Sequence, residues 1–162
     1  MTVGTHEQPF DRLLREIDRL AQAGELPDEV FCQTGYTSYE PSVPHSSMLS
    51  YDEMQERVSR ASLVVSHGGP GGIMPVLAQG KPLVLVPRRH RYGEHVDDHQ
   101  VAFCRRLGTE RGLPVVEDMD ALAPAISRAL ARGGRGESPG AEPEAAVAEI
   151  GRRIGALLSE RR

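Results

Sequence analysis

The residues best suited to chemistry sit in Ser66-His67-Gly68-Gly69-Pro70-Gly71-Gly72, a glycine-rich segment between an apolar run and the start of a helical pattern. Missing side chains let a ligand approach the backbone, and free N–H groups at a helix start favour an anion. A tight strand-to-helix turn accounts for the same glycines, and neither of the phosphate-loop spacings GxGxxG and GxxxxGK[ST] is present. His67 also has two readings, a satisfied core histidine and a ligand contact, and its place inside the glycines favours contact. A second short loop, Gly4-Thr5-His6, follows a β-prone stub. In an open α/β sheet ligands bind at the carboxyl ends of strands, and both loops stand at such ends. Cys32 and Cys104 are isolated in apolar patterns, so small buried thiols are expected rather than a disulfide or a metal site.

The elements that hold these loops follow from periodicity. Met1-Thr2-Val3 reads as a strand stub, and Phe10, Leu13, Leu14, Ile17, Leu20 and Ala21 recur at helical spacing. Short strands are expected at 29–35 and, more weakly, at 46–50, followed by a helix over 51–61. Leu63-Val64-Val65-Ser66 and Leu83-Val84-Leu85-Val86 are apolar runs of buried-strand type, separated by a helix over 73–79 that Gly80 closes. A polar loop runs from Pro87 to about Val96. A helix over 97–107, a strand at Val115-Val116 and a helix over 121–131 complete the pattern. Strands alternating with helices predict a doubly wound parallel sheet with helices on both faces.

The chain has 162 residues, 39% hydrophobic and 26% charged, with a net charge of −4. That length suits one substantial core, here expected over residues 1–131. A basic surplus is absent, which speaks against nucleic acid as a partner. No apolar stretch approaches the roughly 20 residues that span a bilayer, so a cytoplasmic protein is expected. Residues 132–143 have linker composition, rich in Gly and Pro. Beyond them, over 144–162, Val147, Ile150, Ile154, Leu157 and Leu158 form the stripe of an amphipathic helix, read as packing on its own domain or on a partner.

The segments TVGTHEQPFDRLL (2–14), QTGYTSYEP (33–41), SHGGPGG (66–72) and GKPLVLVPRRHRYGEHVDDHQ (80–100) resemble the C-terminal, donor-binding domain of family 28 glycosyltransferases, from about Thr2 to Val116. The likeness is greatest to stand-alone forms, such as the small subunits of two-component UDP-N-acetylglucosamine transferases and bacterial exopolysaccharide counterparts. It implies one half of a GT-B enzyme, in which this chain binds a UDP-sugar and a membrane-anchored partner subunit binds a lipid-linked acceptor. The protein would then sit at the inner face of the membrane through that partner. A nucleotide-sugar epimerase shares the sheet and glycine loops but needs a second domain, which this length does not supply.

By the same resemblance, Gly4, Thr5, His67, Gly68, Gly69 and Gly71 face the donor diphosphate and nucleoside. Glu94, Asp98, His99 and Gln100 face the sugar, whose hydroxyls suit carboxylate, imidazole and amide groups. Asp97 and Asp98 have a second reading as helix caps. Arg88-Arg89-His90-Arg91 has three readings: a solvated basic loop, a diphosphate-neutralising group, and a contact for the lipid pyrophosphate on the partner. His6 is the loop candidate for a general base. No cofactor is expected, and with no DxD-type pair at a strand end the transfer is expected to need no metal.

Two departures from the family pattern stand out. Pro75 occupies the position, five before Gly80, where relatives carry a glutamate for the ribose hydroxyls; it has neither carboxylate nor backbone donor. A non-catalytic stabilising subunit that has lost donor binding is therefore the alternative function. Proline fits sterically if it falls in the first helical turn. The first strand is also shorter than in relatives, which points to a misplaced or truncated start and predicts a weakened central strand.

Overall fold

The computed structural model describes residues 1–133. In chain order these form α1 (Asp11–Gln22), β1 (Cys32–Gln33), β2 (His45–Ser46), α2 (Tyr51–Arg60), β3 (Val64–Ser66), α3 (Pro70–Ala78), β4 (Leu83–Leu85), α4 (His99–Arg111) and α5 (Leu122–Gly133). Single 3-10 turns occur at His90–Tyr92 and Met119–Ala121.

Every strand pairing among the described residues is parallel. β1 pairs with β2 and β3 with β4, while Thr2 bridges Gln33 on one side and Ser66 on the other, and Val115 bridges Leu85. Across the sheet the order is therefore β2, β1, the N-terminal stub, β3, β4 and Val115. The chain builds outward from the stub in one direction, then crosses back and builds outward in the other. Such a reversal opens the ligand crevice of doubly wound sheets, and here it falls between Thr2 and β3.

The central strand is as short as its sequence foretold, yet it is bonded on both sides. Thr2 N donates to Val65 O at 2.9 Å and His67 N to Thr2 O at 3.2 Å, while Val3 N donates to Gln33 O at 3.1 Å and Gln33 N to Met1 O at 2.9 Å. Three residues, Met1, Thr2 and Val3, thus join the two halves of the sheet.

Side-chain alternation along the strands feeds two cores, as a sheet covered on both faces requires. Val65, Val84 and Val86 point into a cluster with Phe10, Leu13, Leu14 and Ile17 of the α1 region and Leu122, Ala125 and Ile126 of α5. Val64, Leu83 and Leu85 point the other way, onto Val58 of α2, Ile73 and Val76 of α3, and Cys104 and Leu107 of α4. Both cysteines are buried free thiols, pushed up to about 11 at Cys32 and about 12 at Cys104 chiefly by burial.

Several boundaries move from the sequence reading. The strand expected at 29–35 contracts to Cys32–Gln33, and the weak one at 46–50 becomes His45–Ser46. Helix α2 begins on a capping box in which Ser50 and Glu53 bond each other's backbone amides. Helix α3 starts at Pro70, three residues before the expected Ile73, because proline at the first helical position is pre-organised for the helix and lacks an amide that would have no partner anyway. That earlier start corrects the expected place of Pro75: it is the sixth helical residue, in the second turn, where its ring replaces the N–H that would donate to the Gly71 carbonyl. Helix α5 runs to Gly133, two residues into the expected linker. The remainder of that linker and the amphipathic helix expected over 144–162 lie outside the described residues.

Candidate functional site

The stub and β3 deliver the Gly4-Thr5-His6 and Ser66–Gly72 loops side by side at the carboxyl edge of the sheet. Between them stands the His67 imidazole. A Cβ on Gly4 would lie 2.5 Å from its Cε1 and Nε2, one on Gly69 would collide with its Nε2, and one on Gly72 would come within 3.1 Å of Cε1. Gly4 and Gly69 thus make room for the ring, and Gly72 first for Ser66 Oγ, which lies 2.7 Å from the place of its Cβ. Burial, with the Arg88 cation adding, pushes this imidazole down to about 4, so it is neutral at neutral pH. Its Nδ1 and the neighbouring Ser66 Oγ are buried without a hydrogen-bond partner among the described residues.

Gly4 adopts the left-handed backbone, φ +74°. Its peptide is held on both sides by one amide: Gly4 N donates to Gln33 Oε1 at 3.1 Å, and Gln33 Nε2 donates to Gly4 O at 3.1 Å. Thr2 Oγ1 donates to the same Gln33 Oε1 at 2.7 Å. The Gly4 amide is therefore already spent inside the protein. The start of α3 is different. Its N-cap residue, Gly69, has no side-chain capping bond, Pro70 has no amide, and Gly71 is exposed with nothing within 4 Å of the position its Cβ would take. Gly72 N and Ile73 N both donate to Gly69 O, at 3.0 and 3.2 Å, so it is the amide of Gly71 and the positive end of the helix dipole that face open space, an arrangement that favours an anion.

The 87–96 loop is built as a rigid wall for this edge. Arg88 is fully buried, which fits none of the three readings of the basic run. Its Nη2 donates to Val3 O at 2.8 Å and its Nη1 to Gln8 O at 2.6 Å and Glu94 O at 3.0 Å, while its guanidinium lies 4.9 Å from the Phe10 ring centroid. Burial pushes it down to about 10, against the pull of Glu94, so it remains a cation at neutral pH. Arg89 and Arg105 both pair with Glu117, and Arg91 lies 3.9 Å from Asp118. The basic run is thus largely compensated within the chain.

Glu94 and Gln100, expected to face a sugar, are buried and engaged. Both Glu94 oxygens receive Arg12, at 2.9 and 3.0 Å, and Oε2 also accepts from Arg89 N at 3.0 Å. Gln100 Oε1 accepts from Arg88 N at 3.3 Å. Asp97, one residue before the N-cap, accepts from His99 N at 3.0 Å, whereas Asp98, at the N-cap, makes no capping bond and accepts from His90 N at 2.9 Å, which ties down the preceding turn. Thr5 and His99 are exposed and His6 half-exposed. His6 and His99 flank His95, with ring centroids 4.5 and 4.6 Å from it. A row of imidazoles therefore joins the Gly4–His6 loop to the start of α4.

Sequence reasoning missed Gln33, Arg12 and Arg88 as organisers of the edge, because their partners lie 29, 82 and 85 residues away. It also passed over His95, whose alternation with Asp97 and His99 is visible in the sequence as H-x-D-x-H.

The model of the glycosyltransferase family 28 C-terminal domain matches residues 1–143. Among curated relatives, the chain is similar to UDP-N-acetylglucosamine transferase subunit ALG13 of Yarrowia lipolytica, 35% identical over 72 residues, which cover 44% of this chain and 34% of that protein. The Homo sapiens subunit ALG13 is 34% identical over 59 residues, 36% of this chain and 5% of that protein. The matched segments thus span 34% and 5% of the length of these relatives. Among solved structures, the calicheamicin glycosyltransferase CalG4 aligns with 96% of this chain and 43% of its own at 17% identity and a TM-score of 0.52. The kitacinnamycin glycotransferase aligns with 93% of this chain and 42% of its own at 20% identity and a TM-score of 0.53. These likenesses speak for the fold alone, that of one half of a GT-B glycosyltransferase.

Proposed function

The chain belongs to the glycosyltransferase family 28 C-terminal domain family, and from that premise we propose that it is the donor-binding subunit of a transferase that moves a hexose from a UDP-sugar to a lipid-linked acceptor. The observation that carries this reading is the open N-terminus of α3 at the reversal point of the sheet, beside the unpartnered Ser66 Oγ and His67 Nδ1. The donor diphosphate fits there. Its charge meets the Gly71 amide and a helix dipole with no side chain in the way.

In the transfer, the acceptor hydroxyl attacks the anomeric carbon, the bond from that carbon to the diphosphate oxygen breaks, and its electron pair leaves with UDP. The Gly71 amide and the α3 dipole stabilise the leaving group, an electrostatic contribution of a kind that is commonly among the largest in catalysis. The hydroxyl proton passes to a base. His6 is our candidate on this chain, at the rim of the same loop; Thr5 and His99 stand at the same rim, where sugar hydroxyls come within reach. The hexose is of N-acetylglucosamine or uronic acid type, and the acceptor side belongs to a membrane-anchored partner subunit that keeps this chain at the inner membrane face. The subunit naming of the ALG13 relatives supports the need for a partner.

Calorimetry on the isolated chain tests this reading. Saturable UDP binding with no sugar transfer until the partner is added is the expected outcome, and absence of UDP binding overturns it. A second reading, a stabilising subunit without donor affinity, draws on Pro75 in the second turn of α3 and predicts partner binding with no UDP contact.

A further inference from the structure

We propose that His95, Asp97 and His99 form a binding site for a divalent transition-metal ion at the edge of the crevice. Each contributes one ligand atom, and the three atoms lie within 4.8 Å of one another. Two imidazoles and a carboxylate are the donor set that suits zinc, cobalt and nickel, whereas magnesium and calcium select oxygen.

The geometry converges on Asp97 Oδ1. His95 Nδ1 stands 3.5 Å from it, and His99 Nδ1 is in direct contact with it. Tetrahedral ligands about 2.1 Å from an ion are about 3.4 Å apart, so the cluster closes around a metal through a shift of about 1 Å. The parts able to make that shift are the exposed ones. His95 is 6% exposed and wedged between the His6 and His99 rings, which fixes one ligand, while the His99 and Asp97 side chains are 40% and 42% exposed.

Asp97 and Asp98 bring two carboxylates to the cluster and Arg89 is paired with Glu117, which leaves Arg88, bonded to neutral carbonyls, as the cation that the two carboxylates offset. The sequence reading looked for a carboxylate pair at a strand end and so expected no metal. The cluster instead sits in the turn that leads into α4, where H-x-D-x-H brings three donors to one side.

The site shares His99 with the proposed sugar rim, and metal binding is tested without nucleotide so that either reading can fail alone. Cobalt(II) is titrated into the tag-free full chain while its visible ligand-field bands are followed, with zinc as competitor. One equivalent of cobalt should give bands that zinc abolishes and magnesium leaves in place. His99→Ala and Asp97→Asn should each weaken binding by at least about tenfold with circular dichroism unchanged. His45→Ala, which alters an exposed histidine elsewhere, should have no effect. Absence of cobalt bands overturns the proposal, as does binding that survives both ligand variants, that His45→Ala removes, or that magnesium displaces. If either ligand variant fails to fold, His95→Gln replaces it under the same criteria.

Discussion

Arg12 and Glu94, 82 residues apart, meet in a two-point ion pair, with Arg12 Nε 2.9 Å from Glu94 Oε1 and Nη2 3.0 Å from Oε2. The pair joins α1 to the loop before α4, and the same guanidinium also donates to Pro87 O and Glu117 O. A strut of this kind predicts a loss of stability where a sugar ligand predicts a loss of affinity. Glu94→Gln should destabilise the fold by about 2–3 kcal/mol, since it leaves a largely buried guanidinium without its counter-charge. Thermal melts of wild type and variant, read beside UDP calorimetry, separate the two roles. A variant of unchanged melting temperature sinks the strut assignment.

Two glycines that look alike in the sequence should behave in opposite ways. Gly4→Ala combines a positive φ with a Cβ 2.5 Å from the His67 ring and should cost about 3 kcal/mol, or a melting point lower by about 10 °C. Gly71→Ala meets nothing within 4 Å and should leave stability unchanged or raise it by up to about 1 kcal/mol. Its methyl group nonetheless enters the space where the diphosphate is proposed to sit, so UDP affinity should drop by about tenfold. Unaltered affinity in Gly71→Ala would place the anion elsewhere.

Pro75 interrupts α3 one turn after its start. Pro75→Ala restores the amide that bonds the Gly71 carbonyl and should stabilise the protein by about 1–3 kcal/mol without changing nucleotide affinity. Pro75→Glu should stabilise it as well and strengthen UDP binding by about tenfold if a carboxylate there reaches the ribose. Equal UDP affinity in all three proteins rules out the ribose role and leaves the stability gain to stand alone.

His67 sets a window of acid sensitivity. Its folded value of about 4 lies below the ordinary 6.5, so the unfolded chain binds a proton that the native protein refuses. Stability is full above pH 6.5 and declines as pH falls towards 4, by about 3 kcal/mol in total. Burial holds His95 low as well and adds to the same window. The carboxylates act later: hydrogen bonds from His99 bring Asp97 down to about 2, and its contribution is lost only as pH falls below the usual carboxylate range. His67→Gln should flatten the denaturant midpoint between pH 6.5 and 4 and leave the steeper loss below pH 4 intact. A profile identical to that of wild type would contradict the assignment.

Much of the architecture was legible because its causes are local. Leu63–Ser66 and Leu83–Val86 read as buried strands from apolar continuity, and the helical spacing of Leu13, Leu14 and Ile17 marked the face of α1 that is now fully packed. The start of α3 was misjudged for a local reason too: glycines at 71 and 72 have poor helix propensity, so the pattern appeared to begin at Ile73. Arg88 was illegible. A charge within Arg88-Arg89-His90-Arg91 reads as solvated or as meeting a phosphate, and only a fold that gathers the carbonyls of Val3, Gln8 and Glu94 around one point can bury it.

The sequence by itself determined the alternation of strands and helices, the two loops at the carboxyl edge, the buried thiols and the family likeness, since each rests on residues close in the chain. Tertiary structure alone decided what the glycines serve. Gly4 and Gly69 give way to the His67 ring and Gly72 first to Ser66 Oγ, and Gly71 alone of the four has open space beside it. It also decided that Glu94 braces Arg12 and that His95 is wedged between His6 and His99. Those outcomes depend on which distant groups arrive within a few ångströms, and packing around a shared core sets that where spacing along the chain does not.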